Sequence, residues 1–70
     1  MKLEEVKPGQ EVMILSFSGK EDILEKIQAM GLRKGRRVAL LQKLGRNLLL
    51  KVDNSRIVIS KELAKNIEVQ

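Results

Sequence analysis

Few groups in this 70-residue sequence could carry chemistry: two carboxylate pairs (Glu4-Glu5 and Glu21-Asp22), three methionines and one basic run, Arg33-Lys34-Gly35-Arg36-Arg37. Paired carboxylates can divide general acid and base work, but the acid needs a desolvated site to raise its pKa. Both pairs lie in stretches that read as solvated. Histidine and cysteine are absent, which removes the usual proton shuttle and the strongest nucleophile. No P-loop, dinucleotide fingerprint or other Gly-rich phosphate cradle occurs. The expectation is a chain with no catalytic residues and no cofactor. A metal site is not expected either, because methionines and scattered carboxylates lack the usual nitrogen and thiolate ligands. Met13 and Met30 read as flexible fillers of core gaps.

The basic run, with Arg33, Lys34, Arg36 and Arg37, has two readings: a contact for phosphates or an acidic partner, or a solvated loop. The net charge of +5, from 14 Lys+Arg against 9 Asp+Glu, fits nucleic acid, an anionic membrane or an acidic protein partner and decides among none of them. Phe17 is the one aromatic residue. Proline-rich peptides dock in aromatic grooves and single-stranded bases stack on aromatic rings, so both partners are disfavoured. No specific nucleic acid is expected.

The elements that must position these groups follow from turns and periodicity. Seventy residues make one domain, near the lower limit for a core without disulfides or metals. No apolar run approaches the ~20 residues that span a bilayer, so no membrane insertion is expected. The N-terminus MKLEEVKPG lacks the apolar core of a signal peptide, which points to the cytoplasm. Leu3 and Val6 fit one inward-facing helical turn. Pro8-Gly9 has the residues of a type II turn. Glu11–Phe17 reads as a strand. Ser18 and Glu21 have capping-box spacing before a helix over Glu21–Met30, with Ile23, Leu24, Ile27 and Met30 on one face. Gly31 suits a left-handed helix stop, with Leu32 and Ile27 as its accompanying apolar pair, and Gly35 a second sharp bend.

Beyond Gly35 the period changes to two. Arg37–Leu44, Leu48–Val52 and Ser55–Ile59 read as strands joined by a three-residue loop at 45–47 and a two-residue turn at Asp53-Asn54. That loop sets Leu44 opposite Leu48, Gln42 opposite Leu50 and Leu40 opposite Val52. The second turn sets Ile57 beside Leu50 and Ile59 beside Leu48. Ser60 can cap a short helical turn, and Ile67-Glu68-Val69 reads as a closing strand on the first strand or a neighbour. Five short strands, one inserted helix and a C-terminal helical turn describe a mainly β, small SH3-like barrel. The pairing leaves Leu41, Lys43, Leu49, Lys51, Arg56 and Val58 on a face away from the core. Three aliphatics among three cations suit a protein contact, unless a loop or the N-terminal turn covers them.

Laid out so, residues 1–70 resemble the ferrous iron transport protein A (FeoA) family. The residues that carry the likeness are Leu3…Lys7-Pro8-Gly9, Ile14…Gly19, Ile27…Met30-Gly31-Leu32…Gly35…Val38 and Arg56-Ile57-Val58-Ile59…Ala64…Ile67-Glu68-Val69. One departure is Gly45-Arg46-Asn47, where family members commonly carry a Gly-Asp-Pro-like turn. The resemblance implies a small cytoplasmic accessory protein of bacterial ferrous iron uptake, without catalytic residues. Its partner would be the cytoplasmic GTP-binding region of the ferrous iron permease, which would recruit it to the inner face of the cell membrane. Similar domains occur at the C-terminus of iron-dependent transcriptional repressors, so an isolated domain of that kind is one alternative. A small basic barrel that binds RNA or DNA is another.

Overall fold

Turn chemistry sets the outline of the sheet. The computed structural model describes all 70 residues, Met1–Gln70. A 3-10 turn at Leu3–Glu5 leads to Pro8-Gly9, where the Gln10 N–H donates to the Lys7 carbonyl at 3.1 Å and Gly9 takes φ +91°. This is the type II geometry that needs glycine at its third position. Strand β1 (Glu11–Phe17) follows, then helix α1 (Glu21–Ala29), β2 (Arg37–Leu44), β3 (Asn47–Val52), β4 (Ser55–Ser60), the four-residue helix α2 (Lys61–Ala64) and β5 (Ile67–Val69). All neighbouring strands are antiparallel, in the order β4-β3-β2-β1-β5. The expected fold class holds: mainly β and SH3-like, with one inserted helix and a C-terminal helical turn. No ladder joins β4 to β5, so the sheet has two edges and is not a hydrogen-bonded closed barrel.

The core is wholly aliphatic. Leu3, Val6, Val12, Ile14, Val38, Leu40, Leu48, Leu50, Val52, Ile59, Ile67 and Val69 are buried around the sheet, joined by Ile27, Leu32 and Ala64. Burying such side chains stabilises by about 1.5–3 kcal/mol each, before chain entropy is subtracted. From α1 itself only Ile27 is fully buried, while Ile23 and Met30 pack partly against the core. The helix therefore adds one fully buried side chain to a core that the strands mostly build.

Three details differ from the sequence reading. The capping box at Ser18 does not form: the N-cap of α1 is Lys20, with no side-chain cap. The Ser18 N–H is instead donated to the Asn66 carbonyl at 2.8 Å, which ties Ser18 to the start of β5 and leaves it two residues short of the cap. The β2–β3 connection is a two-residue turn, with Leu44 opposite Asn47 and Gly45 at φ +60°. A glycine at the first central position is what a type II′ hairpin turn uses. Finally, β2 carries a bulge. Lys43 pairs with Leu48 and Gln42 with Leu49, but beyond Leu41 the register shifts and Leu40 pairs with Leu50. The extra residue restores the inward face that the shorter turn would have reversed.

The other turns and caps agree, although α1 ends at Ala29 rather than Met30, β3 starts one residue earlier at Asn47 and β4 runs one residue further to Ser60. Asp53 takes φ +55° in a two-residue turn, with Ile57 opposite Leu50 and Ile59 opposite Leu48. Gly31 stops α1 at φ +84°, its N–H donated to the Gln28 carbonyl at 2.9 Å, and Leu32 and Ile27 are both buried. The Ser60 hydroxyl accepts the Leu63 N–H at 3.2 Å as the cap of α2.

Candidate interaction surface

Residues directly opposite one another on antiparallel strands share a face. Leu49 is opposite Val58 and Lys51 is opposite Arg56, and all four lie on the side of the sheet away from Leu48, Leu50 and Ile59. Val58 is 53% exposed, Lys51 and Arg56 are exposed, and Leu49 is half-buried. Neither the N-terminal turn nor a loop covers Val58; that turn packs on α2 and β5.

The bulge changes the far end of this face. Leu41 is the bulged residue, unpaired with β3 and 36% exposed. Lys43 does not join the face as expected. Its partner is the core residue Leu48, so it lies on the inward side of the sheet, where its side chain is exposed. Gln42, opposite Leu49, and Leu44, opposite Asn47 and 41% exposed, take the outer positions instead. Leu44 was missed because a turn one residue too long had turned it inward.

The basic loop is an ordered turn. The Arg36 N–H reaches the Arg33 carbonyl at 3.1 Å, Gly35 takes φ +83°, and its N–H is donated to the Ile14 carbonyl at 2.8 Å. Arg36 is ion-paired with Asp53, and Arg37 lies 3.6 Å from Glu11. Arg33 and Lys34 have no carboxylate within 4.0 Å, and neither do Lys51 and Arg56. The hollow at the loop, about 530 Å³, is lined by Arg33, Lys34, Gly35, Arg36, Arg37 and Asp53, with no hydrophobic residue among them. Pro8, Gly9, Gly31 and Gly35 all serve as turn residues.

A second charged group sits at the opposite edge. The Glu68 carboxylate accepts a hydrogen bond from the N-terminal ammonium of Met1 and is ion-paired with Lys2 Nζ at 3.1 Å. The first of these, then the second, holds its pKa below the ordinary carboxylate value. No cluster of carboxylates could hold a metal ion, and no helix is long and apolar enough to cross a membrane.

An all-aliphatic core under a five-stranded antiparallel sheet, with an exposed mixed face of aliphatics and cations, makes this a small SH3-like β domain. The model of the FeoA domain matches residues 1–70, and the chain belongs to that family. Among solved structures it is similar to the crystal structure of the iron uptake regulatory protein FeoA. Identity is 28% over 99% of this chain and 92% of that one, with a TM-score of 0.90. It also resembles the FeoA-like protein of Clostridium acetobutylicum, at 22% identity, covering 100% of this chain and 84% of that one, with a TM-score of 0.92. The fold extends to ScaR solved with bound Zn²⁺: 24% identity, a TM-score of 0.87, and all of this chain matched to 36% of that longer one. No curated protein matches the chain.

Proposed function

We propose that this protein is an accessory component of ferrous iron uptake, a cytoplasmic, non-enzymatic module that docks on the cytoplasmic GTP-binding region of the ferrous iron permease. Membership of the FeoA family supports the pathway. One observation carries the mode of action: the outer sheet face, where Leu49 and Val58 form an aliphatic pair beside the uncompensated cations Lys51 and Arg56. Aliphatic anchors supply affinity in a desolvated contact, and flanking charges steer approach toward an acidic rim. Iron would be the permease's cargo and would not be held by this chain.

Leu49→Asp tests the reading. On an outer face it should lower the melting temperature by a few degrees at most and weaken binding to the permease's GTP-binding region at least tenfold by calorimetry. In the core the same change would bury an unpaired charge and unfold the domain. Unchanged melting with unchanged binding would acquit this face and pass the contact to Arg33–Arg37. A salt titration separates the nucleic-acid alternative, since neutralising several phosphates makes log K fall steeply with log[salt] and a protein contact through this face should depend on salt far less.

A further inference from the structure

The β4 edge of the sheet is unpaired, and its geometry states what it would accept. The Asp53-Asn54 turn closes on the pair Val52–Ser55, which is bonded across the turn, and hydrogen-bonded and non-bonded pairs then alternate along the ladder. Val52–Ser55, Leu50–Ile57 and Leu48–Ile59 are therefore the bonded pairs. The Lys61 N–H, donated to the Arg46 carbonyl at 2.9 Å, continues the same phase one step beyond the strand. The backbone groups of Arg56 and Val58 consequently point away from β3, to the open side. The same two residues carry the exposed side chains of the outer face.

We propose that β4 is a strand-docking edge for an extended segment of a protein partner with the pattern apolar-x-acidic, running antiparallel to β4. The apolar residue pairs with Val58 and the acidic residue, two positions later, with Arg56. Main-chain bonds to Arg56 and Val58 hold the segment, and alternate side chains select it. Each cross-strand row then ends consistently: Gln42, Leu49, Val58, apolar; and Ala39, Lys51, Arg56, acidic.

Charge commits the occupant. Lys51 and Arg56 are directly opposite like charges, an arrangement that destabilises a sheet, and no carboxylate of this chain approaches either. A carboxylate on an added strand would neutralise the row. A second copy cannot supply it through its own β4, because Ser55–Ser60 (SRIVIS) contains no acidic residue and β4-to-β4 pairing would only bring further arginine to the row; its Leu3-Glu4-Glu5 and Ile23-Leu24-Glu25 have the pattern but are helical. The proposal rests on the partner being a protein, as in the functional reading above, and is tested with peptides first and then with the permease region, so that the two readings can fail separately.

The experiment is a nuclear magnetic resonance titration of the ¹⁵N-labelled protein with blocked heptapeptides. One has valine at its third position, glutamate at its fifth and threonine elsewhere; the other has lysine in place of the glutamate. In the free protein, the Arg56 and Val58 amides should exchange with solvent much faster than those of Ile57 and Ile59. The glutamate peptide should shift and protect the Arg56 and Val58 amides, at least tenfold more tightly than the lysine peptide. Arg56→Glu should invert that preference while the rest of the spectrum stays unchanged. No shift at millimolar glutamate peptide, shifts centred elsewhere, or equal response to both peptides would overturn the proposal and leave Arg56 as a charge that keeps the edge from self-pairing. Binding of the permease region without any change at these amides would overturn it too, while sparing the functional reading. Peptide docking with no permease binding would do the reverse.

Discussion

The two edges of this five-stranded sheet are managed in opposite ways. At the β5 edge the chain covers itself: Lys2 forms an antiparallel bridge with Glu68, and the Val69 N–H is donated to the Met1 carbonyl at 2.7 Å. Glu68 there holds two cations, and Ile67 and Val69 are fully buried. At the β4 edge nothing pairs, Val58 lies open, and two cations face each other without a counter-charge. An exposed edge invites aggregation, and an edge charge is one of the devices that blunts it. The contrast teaches that one edge is finished by the fold, while the other is kept in a state that a suitable strand could complete.

The comparison breaks most easily at its apolar residues. Ile67→Ala should cost about 2–5 kcal/mol, as for other buried large-to-small changes, and leave a domain of this size partly unfolded at 37 °C. Val58→Ala should stay within about 0.5 kcal/mol, the range for exposed substitutions. Thermal or urea unfolding of the two variants checks this. Similar losses at both sites would show that β4 is packed as firmly as β5.

A smaller effect sharpens the charge contrast. Lys51→Glu replaces a like-charge cross-strand pair with an opposite one and should stabilise the protein by about 0.2–1 kcal/mol at low salt. The gain should fade in 1 M salt, where screening shortens the reach of exposed charges. A loss of stability would mean that Lys51 has a favourable contact that its repulsion by Arg56 conceals.

The smallest effect concerns Glu68, whose pKa is depressed by the Met1 ammonium and then by Lys2. A depressed carboxylate binds its proton less readily folded than unfolded. Its contribution is therefore complete above the unfolded-state value and is lost as pH falls through the folded one. Glu68→Gln should flatten the acid limb of the melting profile and change little at neutral pH beyond the loss of an exposed pair. An unchanged acid limb would assign the acid sensitivity to other carboxylates.

Local chemistry made much of this protein legible. The bounds of β1 and β2, the type II turn at Pro8-Gly9, the left-handed stop at Gly31 and the tight turn at Asp53-Asn54 each depend on residues within a few positions of one another. Their φ preferences and alternation are properties of the chain itself. The β3–β4 pairs on the outer face were readable for the same reason, since one short turn sets their register. Tertiary structure decided the rest. Whether Gly45-Arg46 closes a two-residue turn, and whether Leu41 then bulges, depends on the inward face of β2 meeting a core built by β1, β3 and β5; that choice moved Lys43 inward and Leu44 outward. Ser18 lost its cap to Asn66, and the β5 edge was closed by residues at the opposite terminus. Such contacts join positions far apart in the chain, where loop-closure entropy and packing, which no short window contains, decide the outcome.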